Sequence, residues 1–340
     1  MTTAPALLLL LAASLAGWDA PADTVPLFAS DEPVVLTLIA DFQAIRGDPD
    51  EDPRDRPARA VLDGGDTLDV ELRPRGHFRR DPAFCSFPPL RLDVPDEGME
   101  GTVFRDQDKL KLVVSCRPNR DSYEAYVLRE YLLYKVYAAL TPLSFNVRLA
   151  RVTFVDSSGD MEPFTRYSFF IEDDGALAAR LGAQLLDIPE GKIVRAGLLH
   201  PDLATRVAIF QYMIGNTDWA DARVHNVALV GVDGRVAPVP YDFDHAGAVN
   251  AVYARPQPGA PLANVRQRFY QGWCWPNQDE EAAVRPFKDA RPAIDALVAD
   301  FAYLGREDRA DVTAYLAEFF HVVETPERAH QRMFRDCRRP

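Results

Sequence analysis

The stretch FQYMIGNTDWADARVHNVALVGVDGRVAPVPYDFDHAG, residues 210–247, decides how this chain is read, because its polar residues stand at the ends of short structured pieces. A helical pattern stops at Ile214 and Gly215, and a loop carrying Asn216, Asp218 and Asn226 follows. NVALV then reads as a strand, Asp233 and Gly234 turn the chain, and RVAPVPYDFD brings it back. Such a hairpin returns Asp242 to the side of Asn226.

On the N-terminal side of this stretch the pattern is mainly that of strands. PVVLTLIADF gives a strand over Val34 to Ile39, and IRGDPDEDPRDRPAR is polar and proline-rich enough to read as one loop. ARAVL and TLDVELRPRG flank a glycine turn at Asp63 to Asp66, and PPLRLDV and KLKLVVSC add further short strands. SYEAYVLREYLLYKVYAAL has the apolar spacing of a helix, with Asp121 and Glu124 arranged as a capping box. VRLARVTFV and RYSFFIED follow as strands around Ser157 to Gly159. From Asp202 onward the spacing is helical, in LATRVAIFQYMI and again over Glu280 to Arg335, with breaks near Gly305 and Pro326. No internal repeat is present.

Composition narrows the function. With 47% apolar and 26% charged residues in 340, the chain can bury one large core or two moderate ones. A formal net charge of -13 argues against a nucleic-acid binder, which needs a basic face to displace counterions. The apolar run from Ala6 to Ala16, followed by small residues near Gly17 and Ala22, reads as a signal peptide over residues 1–22, although no Lys or Arg precedes it. The run is short for a membrane span, so an exported protein, periplasmic or secreted, with no stable membrane span is expected. Cys85, Cys116, Cys274 and Cys337 lack CxxC spacing and suit two disulfides in an oxidising compartment. Three connectivities are open, of which Cys85 with Cys116 and Cys274 with Cys337 is the expected one.

Phosphoryl transfer to a hydroxyl needs a carboxylate to orient the attacking group and oxygen ligands to hold magnesium against phosphates. Protein kinases use a catalytic-loop Asp, an Asn a few residues later and a further Asp beyond a short hairpin. Asp218, Asn226 and Asp242 come in that order. Taken with RGHFRR (Arg75 to Arg80), FPPLRLDV, KLKLVVSC, the helix beginning at Tyr123 and RYSFFIED, the GNTD, HN and YDFD elements resemble the CotH-like atypical kinase family. The resemblance implies an α+β, two-lobed protein-kinase-like fold. Its β-rich, nucleotide-gripping lobe would cover residues 23–175 and its mainly helical lobe residues 176–340. It also implies an ATP- and Mg-dependent activity on a protein or glycan hydroxyl, with Asp218 catalytic and Asn226 and Asp242 holding the metal.

Two departures from the pattern matter. Asp218 and Asn226 are eight positions apart, whereas the common kinase loop has a spacing of five, which Asp221 and Asn226 satisfy. Asp218 is preferred because it follows GNT directly. In the strand where the family leads us to expect a lysine stands Arg91, so the nucleotide-gripping cation falls to Lys111, facing inward with Lys109 turned away. Glu130, in the middle of the helix, is its expected partner, and Glu172 marks the hinge expected to meet adenine. Arg75 and Gly76 form a candidate phosphate-covering turn in the absence of a GxGxxG loop. Asp244 reads either as a ligand to a second metal ion or as an acid bonded to its own turn and is left out of the metal set, and His225 and His245 read as hydrogen-bonding groups, since magnesium prefers oxygen. The competing readings are a pseudokinase serving as a binding or scaffolding module, which Arg91 favours, and a metal-dependent hydrolase, which the lack of a His-rich ligand set disfavours.

Overall fold

The computed structural model describes residues 26–48, 52–76, 78–95, 99–189 and 192–339. The signal peptide expected over residues 1–22 lies outside them. Seven strands form in the N-terminal half: β1 (Val34–Ala40), β2 (Arg56–Leu62), β3 (Thr67–Pro74), β4 (Leu90–Asp93), β5 (Lys109–Val113), β6 (Val147–Asp156) and β7 (Phe164–Ile171). They close into a barrel in the order β1-β2-β3-β4-β5-β7-β6. Neighbours are antiparallel except at the seam, where β1 runs parallel to β6 with Val34 opposite Ala150. Closure removes both exposed sheet edges.

Period-two alternation decides what fills the barrel. Leu36 and Leu38, Val70 and Leu72, Leu90 and Leu92, and Leu110 and Leu112 all point inward and are buried together. A short helix α1 (Phe42–Arg46) adds Phe42, whose ring lies 5.3 Å from Phe87 and 5.7 Å from Phe154. The single polar loop expected after β1 is therefore corrected at both ends. Asp41 accepts a hydrogen bond from the Ala44 N–H and caps a helix whose Phe42 and Ile45 are fully buried, and β2 begins already at Arg56.

Strands β6 and β7 are apolar on both faces. Phe170 points into the barrel, while Phe169 packs on Tyr131 and Tyr134 of helix α2 (Asp121–Ala138), with ring centroids 5.7 and 5.6 Å apart. The capping box expected at the start of α2 is not formed. Arg120 occupies the N-cap without a side-chain bond, and Glu124 reaches across to β7, accepting from the Tyr167 N–H at 2.6 Å and pairing with Arg166 at 3.5 Å. A strand with an open N–H next to the helix outcompetes the local cap.

The C-terminal half is mainly helical: α3 (Asp174–Arg180), α4 (Pro201–Ile214), α5 (Glu280–Asp300), α6 (Arg306–Val323) and α7 (Pro326–Ala329). A three-stranded sheet in the order β10-β9-β8 lies among them, built from β8 (Gln184–Leu185), β9 (Val227–Val232) and β10 (Arg235–Pro240). Helix α2 belongs to this core. Tyr137 packs on Phe210 of α4 at 4.5 Å, and buried Arg129 pairs with Asp308 at 2.6 Å and Asp311 at 2.7 Å in α6. The architecture is thus α+β, with a barrel at the N-terminal side and helices at the C-terminal side. Among the described residues no helix is long and apolar enough to cross a membrane.

The disulfides are Cys85–Cys116 and Cys274–Cys337, the expected pairing. The first ties the β3–β4 connection to the chain leaving β5, and the Ser86 N–H donates to the Cys116 carbonyl beside it at 3.0 Å. On the chain-entropy model a loop of this length stabilises the fold by about 3 to 4 kcal/mol. A Cys85→Ser/Cys116→Ser variant should therefore unfold in urea with a stability lower by that amount, and an unchanged midpoint would contradict it.

Candidate active site

The stretch 210–247 is closed on itself. Helix α4 ends at Gly215, which sits in the left-handed region (φ 69°) and accepts at its carbonyl from the Gly247 N–H at 3.0 Å, while the Ala248 N–H donates to Ile214 at 2.9 Å. A Cβ at either glycine would overlap the Tyr315 hydroxyl. The Tyr315 ring is fixed in turn by Arg266 and Arg268, whose guanidinium carbons lie 4.3 and 3.8 Å from its centroid. The β9–β10 hairpin pairs Val227 with Pro240, so the Tyr241 N–H donates to the Asn226 carbonyl at 3.0 Å. One residue on, the Asp242 N–H donates to the Tyr134 hydroxyl of α2 at 2.8 Å. Asn226 (φ 54°) and Asp242 (φ 60°) both hold left-handed backbone, which Asn and Asp tolerate better than other side chains.

Asp218, His225, Asn226, Asp242, Asp244 and Arg79 line one cleft of about 520 Å³. Asp218 is positioned from several sides. Its N–H donates to Asn216 Oδ1 at 2.9 Å, its carboxylate lies 3.0 Å from His225 Nε2, and Asn226 Nδ2 donates to its carbonyl at 2.7 Å. The hydrogen bond to Asp218 raises the His225 pKa above its ordinary value. Asp221, the acid with the common kinase spacing, faces away from the cleft. It is 1% exposed and accepts from Trp273 Nε1 at 2.7 Å, Arg338 Nη2 at 3.2 Å and the Ala222 N–H at 2.7 Å. Spacing alone does not separate the two acids, because the turn at Ala220–His225, with Val224 at φ 53°, sets which one reaches the cleft.

Behind the cleft lies a buried charge cluster absent from the sequence reading. Arg79 comes from the β3–β4 connection, with Nη2 3.7 Å from Asp242 Oδ1 and Nε 3.5 Å from Asp244 Oδ2. Glu130 of α2 is 1% exposed, and its Oε1 has no hydrogen-bond partner among the described residues. Burial drives the Glu130 pKa well up, with Arg79 pulling it back. Burial likewise pushes Asp244 up to about 6 against the pull of Arg79. For Asp242 burial also acts upward, but Arg79 and Arg75 outweigh it and hold the carboxyl below its ordinary value. Asp244 is thus a buried partner of Arg79 rather than a turn acid.

Two candidate nucleotide contacts lie elsewhere. The Lys111 ammonium pairs with Asp174 at 2.5 Å and covers the rings of Tyr241 and Phe145 at 4.8 and 5.2 Å, so the expected Lys111–Glu130 pair is not formed. The cation beside Glu130 is Arg79, from the β3–β4 connection, and Lys111 of β5 is engaged by Asp174 instead. Glu172 is 2% exposed and is held by Arg180 through two contacts of 2.8 Å and by the Asn146 N–H at 3.0 Å, leaving its carboxylate fully engaged. The expectation that Lys109 turns away from Lys111 is corrected as well. Positions i and i+2 of a strand share a face, and both lysines line a second pocket. Sequence signals for Arg79 existed, namely the Arg79-Arg80 pair in an inter-strand loop and an acid in the strongly apolar run VLREYLLY.

The donor set suits a hard cation. Asp242 Oδ1 is buried with no hydrogen-bond partner, and Asn226 spends its Nδ2 on Asp218, which leaves its Oδ1 for a ligand. Among the described residues no group of three or more His, Cys, Asp or Glu could hold a metal. A cation here would take two protein oxygens and complete its shell with water and phosphate, as Mg²⁺ does. Aromatic residues Tyr270, Trp273 and Trp275 serve packing: Tyr270 is buried and the Trp275 N–H donates to Thr205 at 3.0 Å.

Asp221→Ala should lower the unfolding free energy by about 2–4 kcal/mol, since it strands a buried indole N–H and a guanidinium. Asp218→Ala at the cleft should change it by under about 1 kcal/mol. Urea titration of the two variants checks the contrast, and equal effects would contradict the division of roles.

No family model matches the chain, and no curated protein matches it.

Proposed function

We propose that this protein is an exported ATP- and Mg²⁺-dependent phosphotransferase of the CotH-like atypical kinase kind, acting on a hydroxyl of a protein or glycan. The observation that carries the reading is the convergence of Asp218, Asn226 and Asp242 on one cleft, where Asp242 Oδ1 has an ion pair with Arg79 but no hydrogen-bond partner among the described residues. A β-rich half and a helical half joined through α2 fit a two-lobed protein-kinase-like arrangement.

In this reading the Asp218 carboxylate, held by His225 and Asn226 while Asn216 and Asn226 fix its main chain, orients the acceptor hydroxyl and takes its proton. Asn226 and Asp242 hold Mg²⁺, which supplies charge neutralisation to the phosphate oxygens when bound. Arg79 keeps Asp242 ionised at neutral pH, and Arg75 at the cleft rim adds positive charge toward the donor. A second reading, a pseudokinase acting as a binding module, is favoured by the engagement of Lys111 with Asp174 and by Arg91 in the place of the expected lysine.

Incubation of the purified protein with labelled ATP and Mg²⁺ should give transfer to itself or to a generic acceptor, reduced at least about 100-fold in Asp218→Ala and in Asp242→Ala. Binding without transfer would favour the pseudokinase. Absence of any metal- or nucleotide-dependent thermal shift would overturn both readings.

A further inference from the structure

Beside the cleft, and sharing Arg75 and Gly76 with it, lies a pocket of about 330 Å³ on the outer face of the barrel. Arg73, Arg75, Arg80, Arg91, Lys109 and Lys111 line it, and Asp173 is the only acid among the described lining residues. This gathering of cations occurs in a chain of net charge -13. Strand register makes it sharper. Arg73 stands directly opposite Arg91, and Arg91 directly opposite Lys111, so three cations form one row across β3, β4 and β5. Like charges in directly opposed positions destabilise a sheet. Arg73 meets Asp55 at 3.6 Å, Arg91 meets Asp93 at 3.2 Å and Lys111 meets Asp174 at 2.5 Å, each at the margin of the row. Arg91 Nε is buried and has no hydrogen-bond partner among the described residues. The row spans about 10 Å at ordinary strand separation.

The same pocket offers little to a nucleobase. A base site needs flat apolar faces and free edge-bonding groups. No aromatic side chain is among its described lining, whose apolar members are Pro53, Pro74 and Leu110. The rings of Tyr241 and Phe145 are covered by the ammonium of Lys111, a lining residue. At the segment expected to meet adenine, the Glu172 N–H already donates to the Asn146 carbonyl at 3.0 Å.

We infer that this pocket selects the phosphoryl donor by its linear polyphosphate chain, with little contribution from a nucleoside, so that inorganic polyphosphate is bound and used as well as ATP. The inference rests on the phosphotransferase reading above and specifies its donor. The chain lies along the Arg73–Arg91–Lys111 row and passes Arg75 to place its terminal phosphorus beside Asn226 and Asp242. The acceptor hydroxyl oxygen then bonds to that phosphorus and the bridging P–O bond breaks. The proton passes to Asp218, and a polyphosphate one unit shorter leaves. Such a donor also suits an exported protein, because extracytoplasmic compartments hold little ATP.

Calorimetric titration of the protein with inorganic tripolyphosphate, ATP, GTP and adenosine, each with Mg²⁺ at one fixed ionic strength, tests the inference. Tripolyphosphate, ATP and GTP should bind within about threefold of one another, and adenosine should not bind. Arg91→Gln and the more exposed Arg73→Gln should each weaken tripolyphosphate by about tenfold or more, with thermal melts showing that both remain folded. In the transfer assay, tripolyphosphate should compete with labelled ATP and support phosphorylation detected by mass. Binding of adenosine, a preference for ATP over tripolyphosphate beyond about tenfold, or unchanged affinity in both folded variants would overturn the inference. Transfer that strictly requires adenine would overturn it while leaving the phosphotransferase reading standing. Binding of none of the ligands would overturn both.

Discussion

Arg79 is 8% exposed and faces Asp242, Asp244 and Glu130, and the geometry of the cleft depends on that arrangement. The four side chains come from a loop between two barrel strands, from the middle of α2 and from the return of the β9–β10 hairpin. Each carboxylate alone would be driven toward its neutral form by burial, and the guanidinium alone would be an unpaired buried charge. Together they hold each other in place, with Asp242 and Asp244 keeping the Arg79 pKa above its ordinary value against the effect of burial. Burial drives Glu130 toward its neutral form, so the charges that face Arg79 are those of Asp242 and Asp244, and neither Glu130 Oε1 nor Asp242 Oδ1 has a hydrogen-bond partner among the described residues. The ionised Asp242 carboxylate that Arg79 maintains is the one the proposed function uses, which connects the stability of the cluster with that function.

The cluster is supported by two mechanical features. The Cys85–Cys116 disulfide pins the connection that carries Arg79 to the chain leaving β5, so the arginine is delivered from a tethered loop. Helix α2 packs between the two-faced strands β6 and β7 and the helices α4 and α6, which fixes Glu130 and Tyr134 relative to the hairpin. The Tyr134 hydroxyl then receives the Asp242 N–H, so the helix sets the height of the acid in the cleft. Basic charge is arranged differently. The Arg73–Arg91–Lys111 row lies on the barrel's outer face, where the alternation that fills the barrel with Leu72, Leu90, Leu92, Leu110 and Leu112 turns the intervening charged residues outward.

Much of this was legible along the chain because it is local. The hairpin that returns Asp242 to Asn226 follows from a glycine turn between two apolar strands, and the break after α4 follows from a glycine needed for left-handed backbone. The seven N-terminal strand segments and the later helices likewise follow from periodicity and turn chemistry, and the even cysteine count pointed to two disulfides. Local pattern misled where a distant group competed for the same atoms. Glu124 gave up a cap for the Tyr167 N–H, Glu172 was taken by Arg180, and Lys111 by Asp174.

The sequence by itself determined the order of chemistry-bearing residues, the alternation of strand faces and the places where the backbone must turn, since these depend on neighbours within a few residues. Only the tertiary structure decided that the strands close through a parallel β1–β6 seam, that Asp218 and not Asp221 reaches the cleft, and that Arg79 is the cation beside Glu130. Those outcomes depend on contacts between segments far apart in the chain, whose energies come from desolvation and charge pairing that no local spacing encodes.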